Sequence, residues 1–169
     1  VGIPKLGSTT SGGQTQMYDF NGTTWIAAGS VIDGETFGDQ SGTWVSLSSD
    51  GTGVAIGSPK NDGGGIGVNA GQVRVYGFDN ASGEWSQLGD DIHGTSAGNE
   101  SGTCCSLNSD GTHVVVGSPS SDKGGGRSGL VTFYDFVDSS WKMVEEIHGN
   151  PSDECGFCVF FNSVGDRVV

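Results

Sequence analysis

Residues 114–126 read "VVVGSPSSDKGGG", and residues 54–65 read "VAIGSPKNDGGG". Each copy is an unbroken apolar run, closed by Gly-Ser-Pro and followed by glycines. An apolar run without alternation marks a strand buried on both faces. Proline ends such a strand, because it has no N–H to give to the ladder. The glycines beyond it permit positive φ, so the chain can cross to the next strand. A phosphate loop is also glycine-rich, but "DKGGGRSG" (residues 122–129) lacks the Gly-Lys-Ser/Thr ending of that motif.

The two copies belong to a larger repeat. Gly13, Gly71 and Gly129 head three similar segments, each 58 residues after the last. Tyr18, Tyr76 and Tyr134 coincide in the three, as do Phe20, Phe78 and Phe136, and Trp25, Trp85 and Trp141. The chain therefore divides into the end of a preceding repeat (1–12), repeat one (13–70), repeat two (71–128) and a truncated repeat three (129–169). The opening "VGIP" fits the phase of "VGSP", and the closing "GDRVV" matches "GTHVV". Both ends fall inside strands, where a cut exposes unpaired backbone. The expectation is a window on a longer array.

Each repeat holds four short runs with strand character: in the second, "TCCSLN", "HVVVG", "QVRVYGF" and "EWSQLG". Asp-Gly in "SDGT" (residues 109–112) is a hairpin signal between two apolar runs. No stretch carries a helical period. The fold class expected is all-β: four-stranded antiparallel blades of a β-propeller, about three of them.

Composition limits the partners. The chain has 169 residues, 32 of them glycine, and a formal net charge of −13. Glycine shows no G-X-Y period, so collagen is excluded. The acidity argues against nucleic acid, which rewards basic stripes. No apolar run is long enough for a spanning helix, so no membrane insertion is expected within this segment.

The sequence resembles the FG-GAP repeats of integrin-α-type β-propellers, and the wording of long repeat proteins of marine algae. Gly57-Ser58-Pro59, Gly117-Ser118-Pro119 and Gly2-Ile3-Pro4 stand for "GAP"; Ser41-Gly42, Ser101-Gly102 and Cys155-Gly156 stand for "FG". The resemblance implies a propeller, and in many such blades a calcium loop of the form D-x-D/N-x-D-G-x-x-D. That loop is degraded here. The first copy offers Ser46, Ser48, Asp50 and Val54, the second Ser106, Asn108, Asp110 and Val114, and the third has Val164 in place of the central aspartate. One carboxylate cannot make a tight calcium site, so no cofactor is expected. Asp50 and Asp110 read as turn residues.

Other candidates are weaker. His93 and His148 share the turn "IHG" and read as solvated turn residues. Asp90, Asp91, Glu145 and Glu146 occupy parallel repeat positions, which argues against a catalytic pair. Asn21, Asn80 and Asn99 head N-x-S/T sequons and are glycosylation candidates; Asn150 is excluded by Pro151. The four cysteines are Cys104, Cys105, Cys155 and Cys158. Cys104 and Cys158 are repeat-equivalent and point the same way around the array, because side chains alternate along a strand. A disulfide, if formed, is therefore expected between Cys105 and Cys158; four buried free thiols are the alternative. Cys155-x-x-Cys158 lacks a second pair of the spacing zinc needs.

The function expected from these readings is not enzymatic. It is a non-catalytic propeller segment of a larger secreted or cell-surface protein. Its role is adhesion, or structural assembly in a filament or wall, through contacts with other chains or copies of itself. A glycan- or small-ligand-binding propeller is the alternative, although tryptophans recurring at one repeat position favour packing over stacking on sugars.

Overall fold

The computed structural model describes residues 1–3, 11–162 and 164–169. Pro4 of the Gly2-Ile3-Pro4 motif lies outside them. Among the described residues the fold is all-β, 48% of them in strands or bridges, in three antiparallel sheets. The first sheet has the order β1 (Gly2–Ile3), β2 (Gln14–Phe20), β3 (Trp25–Asp33). The second runs β4 (Trp44–Leu47), β5 (Gly53–Ser58), β6 (Gln72–Asp79), β7 (Glu84–Gln87), and β8 (Ile92–His93) also pairs with β6. The third runs β9 (Cys104–Leu107), β10 (His113–Ser118), β11 (Leu130–Val137), β12 (Ser140–His148). Beyond β12 an antiparallel bridge joins Phe161 to Val168.

The sheets face one another. β5 is buried at all six positions because it is covered on both sides. Val54 and Ile56 pack with Met17, Ala28 and Ile32 of the first sheet. Ala55, between them, points the other way, with Val73 and Val75, into Cys105, Val114 and Val116 of the third sheet. β10 repeats the arrangement: Val114 and Val116 face the second sheet, and Val115 faces Cys104, Val131 and Val159. The unbroken apolar runs are thus two-sided strands, each valine or isoleucine contributing about 1.5–3 kcal/mol by burial.

The Gly-Ser-Pro glycines have a packing reason. A Cβ added to Gly57 would lie 2.0 Å from the Gly102 carbonyl oxygen, and one on Gly117 would lie 2.0 Å from that of Gly156. Gly2 meets Gly42 in the same way, at 2.1 Å. The "GSP" and "SG" motifs are therefore the two halves of one backbone-to-backbone contact between consecutive sheets.

The tight turns use their aspartates. Asp50 Oδ1 accepts from Ser48 Oγ at 2.6 Å and from the Thr52 N–H at 3.0 Å. Asp110 Oδ1 accepts from the Thr112 N–H at 3.1 Å. The Ser48 and Thr52 bonds hold the Asp50 carboxyl below the ordinary aspartate value, and the Thr112 bonds do the same for Asp110. Gly51 and Gly111 follow at φ 75° and 74°.

Two of the recurrent tryptophans join one sheet to the next. Trp85 Nε1–H donates to the Ala28 carbonyl at 3.0 Å, and Trp141 Nε1–H to that of Leu88 at 2.8 Å. Each is steadied by a phenylalanine ring, Phe78 at 5.0 Å and Phe136 at 4.9 Å between centroids.

Candidate functional site

The two seams between sheets have different linings. In the second seam, Val73 and Val75 pack with Ala55, Cys105, Val114 and Val116, and Leu130 and Thr132 of β11 are buried. In the first, the place of Val73 is taken by Thr15, that of Leu130 by Gln72 and that of Thr132 by Arg74. Arg74 is only 6% exposed. Its Nη2 donates to the Asp33 carbonyl at 2.8 Å, its Nη1 lies 4.0 Å from Glu35 Oε1, and its guanidinium sits 5.6 Å from the Tyr76 ring centroid. Gln72 Nε2 donates to Glu35 Oε2 at 2.9 Å.

This seam holds unused hydrogen-bonding capacity. Thr15 Oγ1, Ser41 Oγ, Ser58 Oγ, Gln72 Oε1, Arg74 Nε and His93 Nδ1 are buried with no hydrogen-bond partner among the described residues. Buried polar atoms are rarely left unpaired, and a cluster of them calls for an explanation. The first seam opens at one end into a cleft of about 430 Å³ that includes Glu35, Asp39, Lys60, Asp62, Asp91 and His93.

Several elements place these groups. β8 ends on His93, and the left-handed Gly64 (φ 61°) leaves room for its ring: a Cβ there would come within 3.0 Å of Nε2. The turn after β3 carries Glu35 and Asp39. Asp39 Oδ2 accepts from the Thr36 N–H at 2.8 Å and Asn61 Nδ2 at 3.0 Å. Asp91 Oδ1 accepts from Gln87 Nε2 at 2.7 Å. The lysine is already engaged: Lys60 Nζ pairs with Glu100, which also accepts from Ser120 Oγ at 3.0 Å. Partial burial pushes the Glu100 carboxyl up, but the Lys60 and Ser120 bonds outweigh it and hold it below the usual value. The open cleft is therefore negative, with one imidazole. Among the described residues no three His, Cys, Asp or Glu side chains group as metal ligands.

One repeat further on, a cleft of about 540 Å³ occupies the equivalent place. There Glu35 is replaced by Thr95, Asp39 by Asn99 and Lys60 by Ser120. Asn99 is 4% exposed and donates from Nδ2 to Thr95 Oγ1 at 3.0 Å. It is thus a structural amide; burial withdraws it as a glycosylation candidate. Asn21 and Asn80 are exposed, in the β2–β3 and β6–β7 turns.

The cysteine pairing is corrected. All four cysteines are free, and Cys158 meets Cys104, not Cys105, with sulfurs 3.9 Å apart. Alternation along β9 holds, but its sense is the reverse of the one the Cys105 pairing needs. Cys105 faces back into the second seam, while Cys104 faces forward onto Val159. Cys158 lies outside any strand, in the irregular segment after β12, so strand parity does not govern it.

Of the histidines, His93 is half-buried in the cleft and His148 is exposed. Asp91 lines the cleft, while Asp90 and Glu145 are exposed and Glu146 pairs with Lys123 at 2.5 Å. Sequence reasoning passed over Glu35, Asp39, Lys60 and Arg74. Their signal is departure from the repeat: Thr95, Asn99, Ser120 and Thr132 stand at the equivalent places.

No protein-family model matches the chain, and no curated protein matches it. Solved structures do. A periplasmic gluconolactonase of Pseudomonas aeruginosa aligns at TM-score 0.51 and 23% identity, over 87% of this chain and 37% of its own. A protein assigned as a 6-phosphogluconolactonase from Bacteroides fragilis aligns at 0.56 and 13%, over 86% and 35%. Another from Bacteroides uniformis aligns at 0.55 and 15%, over 99% and 44%. The chain thus spans less than half the length of each. These matches overturn the FG-GAP resemblance, whose glycine motifs are accounted for by sheet-to-sheet contact. They also overturn the expected non-enzymatic role in adhesion or assembly, since the proteins matched are lactonases by name. At these identities what the likeness establishes is the fold, which this chain shares with part of the gluconolactonase-type proteins.

Proposed function

We propose that the three sheets are successive blades of a β-propeller belonging to a lactone-hydrolysing enzyme. Its substrate enters the cleft between the first and second sheets. The observation that carries this reading is His93. Its Nδ1 is buried with no partner among the described residues, at a cleft edged by Glu35 and Asp91, in a fold shared with lactonases.

Opening a lactone requires water to attack the ring carbonyl, a base to take the proton of that water, and a donor for the departing ring oxygen. A neutral imidazole can fill the base role near neutral pH. Glu35, Asp39 and Asp91 supply acceptors for the hydroxyl groups of a sugar ring. A cleft of about 430 Å³ suits a six-carbon lactone. The electrostatics favour an uncharged substrate over a phosphorylated one, because Lys60 is committed to Glu100 and the remaining open groups are carboxylates. An extracellular or envelope location is proposed with it; the periplasmic placement of the Pseudomonas aeruginosa protein is compatible.

The test is ring opening of glucono-1,5-lactone and of its 6-phospho counterpart, followed as acid release above the spontaneous rate. The chain is expected to accelerate the first more than the second. His93→Gln is expected to lower the acceleration by about 10²–10⁴-fold, the usual contribution of a general base. No acceleration by the unaltered chain would contradict the reading.

A further inference from the structure

Cys104 and Cys158 hold the same repeat position and meet across the third sheet's contact with the segment after β12. Their sulfurs are 3.9 Å apart, at van der Waals contact, and both thiols are free. Register places Cys104 across from Gly117, as Trp44 stands across from Gly57. Repeat one therefore fills this position with a ring that packs against two clusters. Repeats two and three fill it with thiols.

The backbone on both sides of the pair is pinned. The Val159 N–H donates to Cys104 Sγ at 3.0 Å, and the Phe161 N–H donates to Ser106 Oγ at 3.1 Å. These two bonds, two residues apart on each side, hold the segment after β12 against β9. A disulfide places its sulfurs about 2.05 Å apart. Closure therefore asks each sulfur to move by about 1 Å, which side-chain rotation supplies while the backbones stay where they are. The other two thiols are placed differently. Cys105 faces the second seam, among Ala55, Val73 and Val116. Cys155 borders the same cluster as Cys104 and is the competing partner.

We propose that Cys104 and Cys158 form a disulfide by exchange with a small-molecule disulfide, tying β9 covalently to the segment after β12. Exchange begins at Cys158, the exposed thiol. Its thiolate attacks one sulfur of the small disulfide, and the other sulfur leaves as a thiolate. Cys104 then gives up its proton to solvent and attacks Cys158 Sγ, which expels the second small thiolate. Two protein thiols are oxidised, and one small disulfide is reduced to two thiols that take up the two protons. Burial pushes the Cys104 thiol up to about 12, so it is the second nucleophile and not the first. The two cysteines are 54 positions apart, and closing so long a loop removes freedom from the unfolded chain. The proposal stands apart from the lactone reading: an inactive chain can carry the bond, and an active chain can lack it.

The test is to incubate the 169-residue chain with oxidised glutathione, digest it without reduction and map the peptides by mass spectrometry. Peptides joined through Cys104 and Cys158 are expected. The melting temperature is expected to lie about 5–15 °C above that of the same sample after reduction. Cys158→Ser, at an exposed position, is expected to abolish both the link and the temperature difference. Cys155→Ser is expected to keep both. A link between Cys155 and Cys158, a chain that ends with glutathione on Cys158 and no internal bond, or a melting temperature that reduction leaves unchanged would each overturn the proposal.

Discussion

The two seams are built by the same repeat and are lined differently. The second packs Val73, Val75, Val114 and Val116 together, with no unpaired polar atom among the described residues. The first carries Thr15, Gln72 and Arg74 at the matching places, with six buried polar atoms left unpaired around them. A repeat supplies the scaffold twice, and a few substitutions in one copy turn a packing surface into a polar chamber open at a cleft. Both seams keep an apolar cluster, and the buried polar groups, with the proposed chemistry, gather in the copy that breaks the pattern.

The largest expected effect tests the second seam. Val116→Asp places a carboxylate where nothing can pair with it, and a loss of about 3–5 kcal/mol is expected in urea unfolding. A loss under 1 kcal/mol would mean that water already reaches the second seam. Next comes an exchange of seam residues: Gln72→Leu with Arg74→Thr gives the first seam the lining of the second. Replacing a buried charge by groups that pack is often neutral or stabilising by about 1–4 kcal/mol. Unfolding free energy is therefore expected to hold or rise, while lactone opening disappears. Marked destabilisation would show that Arg74, through the Asp33 carbonyl, holds the fold together.

Smaller effects distinguish the tryptophans. Trp141→Phe removes the donor to the Leu88 carbonyl and is expected to cost about 1 kcal/mol. Trp25→Phe, at an exposed ring, is expected to cost close to nothing. Equal costs would remove the distinction between joined and open sheets.

A further small effect concerns pH. The Glu100 carboxyl, bonded to Lys60 and Ser120, lies below its ordinary value. A lowered folded-state value stabilises at neutral pH, and that contribution is lost as pH falls through the folded-state value. Lys60→Met is therefore expected to lower neutral stability by about 0.5–1 kcal/mol and to flatten the acid limb of the stability profile. An acid limb as steep as before would place the titration elsewhere, at turns such as Asp50 and Asp110.

Much of this was legible in the sequence, and the parts that were not share a cause. The strands β5, β6, β9 and β10 follow from local signals: an apolar run buried on both faces, or an Asp-Gly turn. Those signals sit within a few residues of the structure they specify. The direction in which Cys105 points does not. Alternation fixes that Cys104 and Cys105 face opposite ways, but which neighbour each faces depends on the order in which the sheets pack. The Gly-Ser-Pro glycines were legible as strand ends, yet their family likeness misled. Their partners, Gly102 and Gly156, lie in the segments that enter the next inner strand, and any fold that stacks sheets so closely needs them. Glu35, Lys60 and Arg74 went unremarked because each is unremarkable alone; only Thr95, Ser120 and Thr132 at the equivalent places reveal them as exceptions.

The contrast between the two clefts can be measured directly by backbone hydrogen exchange with and without saturating gluconate. Added protection is expected around Glu35, Asp39, Asp91 and His93, and none around Ser96, Asn99 and Ser121 of the second cleft. Equal protection in both clefts, or in neither, would contradict the assignment of ligand chemistry to the first seam.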